Sequence, residues 1–241
     1  MRPKIVFCGP TQSQAEALET LDAIYLPPAV QGAIVWAVQQ FDPAAILVID
    51  GGFQSEPAVR HKEILWAVGR GIPVIGAASM GALRAAELYP YMQGAGLIYR
   101  WYRRFSCLPD DAVAGLHGPA EVNFVPLTDA LVDLRMTVRA AHRRGAISGE
   151  LRVKLESAAQ RLNFRDRTLA RVLSDALPDE DERALKNYNA ILSATFVRQK
   201  KLDALQGLRL LRDEDFRSAP LTNLPVTVAF ARDLEDAGLT I

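Results

Sequence analysis

Apolar positions in the first ninety residues follow two alternating patterns. Short unbroken runs occur at residues 4–8 (KIVFC), 23–26, 45–50 (AILVID) and 72–77 (IPVIGA). Each has the length and the β-branched content of a strand, and the continuous run at 45–50 suits a strand covered on both faces. Between them the spacing changes to three and four. Ala15, Ala17, Leu18 and Leu21 share a stripe in 12–21, Val30, Ile34, Ala37, Val38 and Phe41 in 29–41, and Ile64, Leu65 and Val68 in 58–69. A further helix is predicted over 79–88. Strand, short loop and helix in repeated succession predict a parallel sheet with flanking helices in the N-terminal half, with the loops after the strands gathered along one edge.

Beyond residue 120 the pattern changes. Residues 122–126 read as one more strand, but from Thr128 the periodicity is helical, over 129–144, 149–162, 166–177 and 180–205. Gly145, Pro178 and Gly207 punctuate it. Ser148 reads as a helix cap, and the turn residues 222–225 precede a last helix over 226–236. The expected organisation is an α/β domain over 1–127 followed by a mostly α-helical region over 128–241.

Composition narrows the class without naming a task. The 241 residues are 49% hydrophobic and 23% charged, which excludes disorder for most of the chain. Lys and Arg number 28 and so do Asp and Glu, leaving no basic footprint for nucleic acid. The longest apolar runs are strand-sized, too short for a membrane span, and residues 1–4 lead into a strand rather than a signal peptide. Cys8 and Cys107 make no disulfide framework, so a reducing cytoplasm is expected. Glycine is uneven: 12 of the 16 fall in residues 1–118, where the loops of the sheet are predicted.

Those loops are where ligands of a parallel sheet collect. Gly9-Pro10-Thr11, Pro27-Pro28, Asp50-Gly51-Gly52 and Ala77-Ala78-Ser79-Met80-Gly81 all follow strands. None is a phosphate cradle. The last has the form of a nucleophile elbow, with small residues two before and two after Ser79. There the Ser79 hydroxyl would stand at a helix N-terminus with the Met80 N–H as an oxyanion donor, and a second donor from Gly9 to Thr11 or from Gly51-Gly52. Equally, Ser79 is a favourable helix cap. A nucleophilic serine needs a base: His61, His117 or His142, or a lysine made neutral by burial. Lys62 lies four residues before Trp66 on a helix with a buried face, so it is either such a base or a solvated lysine whose stem covers the ring.

The remaining candidates carry two readings each. Asp50 either braces loop N–H groups or orients a base. Arg84 either pairs with Glu87 three residues on or binds an anion. Asp110, Asp111 and His117 give a faint metal pattern that lacks further ligands. Cys8 is a small buried residue or a reactive thiol at a strand end.

The same segments, together with residues 27–32 (PPAVQG), 57–67 (PAVRHKEILWA), 76–85 (GAASMGALRA) and 110–119 (DDAVAGLHGP), resemble the TfuA family. The resemblance implies a partner of a YcaO enzyme in peptide backbone thioamidation. It implies hydrolysis of the thiocarboxylated C-terminus of a ThiS-like sulfur-carrier protein, releasing sulfide for the YcaO, which acts on a peptide or protein substrate. Ser79 and Lys62 match the family's Ser–Lys pair, within motifs that also hold His61, Glu63 and Gly81. Such chemistry needs no cofactor. The competing expectation is a non-catalytic adaptor that docks on YcaO and raises its affinity for peptide.

Overall fold

A computed structural model describes residues 2–52, 56–105, 108–221 and 225–241. The chain forms two compact units, one of Met1–Leu108 with Lys201–Ile241, the other of Pro109–Lys200.

The first unit is built on five parallel strands, β1 (Lys4–Phe7), β2 (Ile24–Leu26), β3 (Ala45–Val48), β4 (Val74–Ala77) and β5 (Gln93–Ala95), in the order β2-β1-β3-β4-β5. Four of these fall within the predicted runs; β5 does not. The expected parallel sheet with flanking helices is what the chain forms. Its helices are α1 (Gln14–Leu18), α2 (Ala33–Phe41), α3 (His61–Gly69), α4 (Met80–Glu87) and α5 (Gly96–Arg104). Both α2 and α3 start later than predicted because the residues before them serve the loops. Ala29 bridges Gly51, Val30 bridges Ala58, and the Gln31 N–H donates to Pro57 O.

Alternate strand residues face opposite layers. Ile5, Phe7, Ile46, Val48 and Val74 pack with apolar residues of α2, α3 and α4. Val6, Leu47, Ile75 and Ala77 pack on the other face. Two helices from the far end of the chain complete these layers. Ala204, Leu208 and Leu211 of α10 (Gln199–Asp213) join the second, and Phe230 and Leu234 of α11 (Val228–Asp236) the first. The chain therefore does not divide at 127/128 as expected, because the sheet's cover is supplied in part by residues beyond 200.

Gly207 was expected to end a helix; it lies within α10 instead. A Cβ there would stand 2.9 Å from Ala77 Cβ and 3.1 Å from Leu47 Cδ1, so the glycine permits close helix–sheet contact.

The second unit is helical: α6 (Leu131–Arg143), α7 (Gly149–Arg161), α8 (Leu169–Ala176) and α9 (Glu182–Ala194), each packing on its neighbour and α6 on α9. The helix expected over 180–205 is two helices, broken at 195–198. The predicted strand at 122–126 is instead a 3-10 turn, Ala120–Val122, followed by a single bridge from Pro126 to His117. Among the described residues no helix is long and apolar enough to cross a membrane.

Candidate functional site

The strand order reverses between β1 and β3, and ligands of such sheets bind beyond the carboxyl ends of the strands at that reversal. Asp50 organises it. Its side chain, 2% exposed, accepts the Gly9 N–H (2.9 Å) and the Thr11 N–H (3.0 Å) on Oδ2 and the Thr11 hydroxyl (2.5 Å) on Oδ1. The loop Gly9-Pro10-Thr11 is thus folded onto the carboxylate. Asp50 is a brace, and those two loop N–H groups are spent on it rather than left for an oxyanion.

Gly51 continues this edge. A Cβ on Gly51 would lie 2.8 Å from Met80 Cγ and 2.9 Å from Ala29 O, so only glycine lets the loops after β2, β3 and β4 converge. The turn into α4 is tighter still. Cβ atoms on Gly76 and Gly81 would collide with Gly81 O and Val48 O respectively, which seats α4 directly against the sheet. Ala78 takes a left-handed φ of 66°, a conformation that disfavours a residue with a Cβ by about 1–2 kcal/mol.

Ser79 is held at this turn. It occupies the N-cap position of α4, where its carbonyl accepts the Ala82 N–H (3.0 Å). Its side chain makes no capping bond. The reason is backbone geometry: a capping serine takes extended φ and ψ, whereas Ser79 has φ −112° and ψ −124°. Of the two readings open from sequence, the capping one is therefore not realised. The half-buried hydroxyl has no hydrogen-bond partner among the described residues. Beside it, the Met80 N–H is the first of α4 and has no acceptor within the helix.

On α3 the candidates separate. Lys62 is half-buried and its Nζ donates to Thr227 Oγ1; no hydrogen bond joins it to Ser79. His61 faces elsewhere, with Nε2 2.8 Å from Glu87 Oε2. Arg84 completes that cluster, 2.6 Å from Glu87 and donating to Val59 O at 3.0 Å. The local Arg84–Glu87 pair is formed, and the guanidinium is engaged. Glu63 is 1% exposed and accepts N–H groups from Arg60 (2.6 Å), Gly32 (3.2 Å) and Ile34 (3.1 Å). One carboxylate thus caps α3 and ties down the start of α2. Burial pushes its pKa up to about 7, against the opposing pull of those three donors.

Cys8 is buried beside Asp50, and burial first, then that negative charge, pushes its thiol up to about 12. A thiol raised in this way holds its proton and offers little thiolate for attack. Cys107 and Thr222 lie outside the described residues.

His117 belongs to the second unit, where its ring meets Phe124 edge-on at 5.5 Å and Nδ1 lies 2.8 Å from Gly118 O. Asp111 is the partner of Arg167, a guanidinium 1% exposed that lies 3.0 Å from it and also donates to Ala159 O and Leu162 O. Among the described residues no three His, Cys, Asp or Glu side chains gather as metal ligands.

Sequence reasoning missed Thr227. The signal was a threonine directly before an apolar-periodic run, a favoured N-cap residue.

The first unit is thus a doubly wound parallel α/β structure whose candidate site is a strained strand-to-helix turn presenting a serine at the carboxyl edge of the sheet. Residues 50–168 match the family model of TfuA-like proteins, and over that span the chain is TfuA-like. The match contains Asp50, Lys62, Ser79 and His117 and ends before Thr227. No curated protein matches the chain.

Proposed function

We propose that this protein is a hydrolase acting beside a YcaO enzyme in peptide backbone thioamidation, releasing sulfide from the thiocarboxylated C-terminus of a ThiS-like sulfur carrier. The observation that carries this reading is Ser79: a hydroxyl at a helix N-terminus, on a strained turn, withheld from the capping bond that its position invites. Strain of this kind gathers at functional sites.

The chemistry follows from that placement. Ser79 Oγ attacks the carbonyl carbon as Lys62 Nζ takes its proton, and the Met80 N–H faces the developing oxyanion. The tetrahedral intermediate collapses with cleavage of the C–S bond. Sulfide leaves as HS−, taking the proton from Lys62, and an acyl-serine remains. Water, deprotonated by Lys62, then cleaves the ester to give a carboxylate, the free serine and one proton. The N-terminal end of α4 favours the anionic substrate. With Arg84 engaged by Glu87 and Val59, the substrate's charge falls to the helix end rather than to that guanidinium.

A second reading, the non-catalytic adaptor, rests on α5. That helix exposes Arg100 and, three and four residues on, Arg103 and Arg104, with Arg103 stacked 4.0 Å over the exposed Tyr89 ring. Arginine with aromatic neighbours is the composition of protein-contact surfaces.

Sulfide release from a thiocarboxylated carrier, measured for Ser79→Ala and Lys62→Arg, separates the two. The hydrolase reading expects at least a 100-fold loss in both, since arginine keeps the charge but cannot accept the proton. Undiminished release by Ser79→Ala overturns it and leaves the adaptor.

A further inference from the structure

The Lys62 ammonium finds its partner 165 residues along the chain, and that partner belongs to neither the strand edge nor α3. Thr227 is the N-cap of α11, and its Oγ1 accepts both the Phe230 N–H (3.3 Å) and Lys62 Nζ–H. The helix behind it is firmly seated. Phe230 and Leu234 are buried at 1% and 2% exposure among residues of α2 and α3. Gln31 donates to Asp233 O at 2.7 Å, Arg60 lies 3.7 Å from the Asp233 carboxylate, and Gln39 donates to Thr240 O at 2.6 Å. Thr227 is therefore a fixed hydroxyl aimed at a flexible amine.

We propose that Thr227 is the positioning residue for Lys62, so that the C-terminal helix supplies a third member of the site. This rests on the hydrolase reading above. An unrestrained lysine samples many rotamers, and a base is useful only when its lone pair meets the proton it must take. A neutral amine has two N–H bonds and one lone pair. Donating one N–H to Thr227 Oγ1 fixes the nitrogen and leaves the lone pair for the serine or for water. The capping bond serves the same end, because an Oγ1 already held by the Phe230 N–H cannot swing away. Among the described residues the hydroxyl that accepts from Lys62 comes from the chain beyond residue 200, outside the family-matched segment.

The test uses the full chain and thiocarboxylated carrier. Thr227→Val removes the acceptor at nearly constant shape, and Thr227→Ser retains it. The valine variant is expected to lose 10- to 100-fold in kcat with KM changed less than threefold, and serine to remain within about threefold of the parent. The rise of kcat with pH should also move in the valine variant when rates are normalised at each pH to the folded fraction measured by circular dichroism, a correction that removes the contribution of unfolding. Leu234→Val serves as a control that weakens α11 without touching Lys62. If it lowers kcat as much as Thr227→Val at a matched fall in Tm, the threonine is only a cap and the proposal fails. Should Thr227→Val not fold, the rate of Lys62 modification by acetic anhydride in Thr227→Ser and Thr227→Ala, read by mass spectrometry, replaces it: a rate increased only in the alanine variant supports the proposal, and equal rates overturn it. Full activity in Thr227→Val beside inactive Ser79→Ala and Lys62→Arg overturns this inference and spares the hydrolase reading. Undiminished release by Ser79→Ala overturns both.

Discussion

Asp50 and Glu63 are 2% and 1% exposed, and each offsets the cost of burying a carboxylate by accepting N–H groups from the loops it organises. Neither is free to act as a general base. Burial lifts the pKa of Glu63 from an ordinary 4.5 to about 7. Folded protein therefore holds a proton between those pH values that unfolded chain has released. A raised carboxylate pKa contributes stability at low pH and loses it as pH rises toward 7. Glu63→Gln removes this dependence while adding a constant penalty, since its amide NH2 must face one of the three N–H donors. The stability of the parent relative to the variant should thus fall by up to about 3 kcal/mol between pH 4.5 and 7. Urea unfolding of both proteins across that range checks it, and parallel pH curves would show that Glu63 does not titrate there. From sequence the two residues stood as candidates beside Ser79. Strand-end acids that bind loops and those that do chemistry have the same local pattern, and only the loop geometry separates them.

At the scale of elements, what could be read beforehand was what the local chain determines. β1, β3 and β4 are apolar runs, the first two followed by glycine loops, and α4 follows its small-residue turn as expected. β5 was illegible because Gln93, Gly94 and Ala95 have neither β-branching nor alternation; the strand exists through its pairing with β4. Gly207 was misread for a related reason. Glycine is unfavourable in a helix interior by about 1 kcal/mol against alanine, so in isolation it signals an end. In α10 that loss is exceeded by the contact it permits with Ala77 and Leu47. Gly207→Ala sets the two effects against each other. The gain in propensity is about 1 kcal/mol, and overpacking against a backbone-fixed Ala77 costs about 1–3 kcal/mol. The variant should be less stable, with a Tm lower by several degrees; a raised Tm would show that α10 moves away from the sheet without loss.

For the whole molecule, the sequence suggested a site-bearing N-terminal domain with a helical appendage, and the two compact units divide differently. Residues 1–108 and 201–241 are one unit because α11 joins α2, α3 and α4 over one face of the sheet and α10 packs on the other. Amphipathic helices advertise that they have a buried face but not what it is buried against, so their long-range destination was not readable. A fragment of residues 1–127 tests the consequence. It contains Ser79, Lys62 and β1 to β5, but lacks Leu208, Leu211, Phe230 and Leu234, all at most 2% exposed in the intact chain. Their burial is worth about 1.5–3 kcal/mol each. Together that is about 6–12 kcal/mol, the same size as the roughly 5–15 kcal/mol by which a domain is stable. The fragment should show no cooperative unfolding transition and should bind a dye specific for exposed apolar surface, whereas the intact chain unfolds cooperatively. Cooperative melting of the fragment near the Tm of the intact protein would mean that the sheet and its first helices are self-sufficient. The site could then assemble without α11, and Lys62 would lose the hydroxyl that now holds it without any cost to the fold.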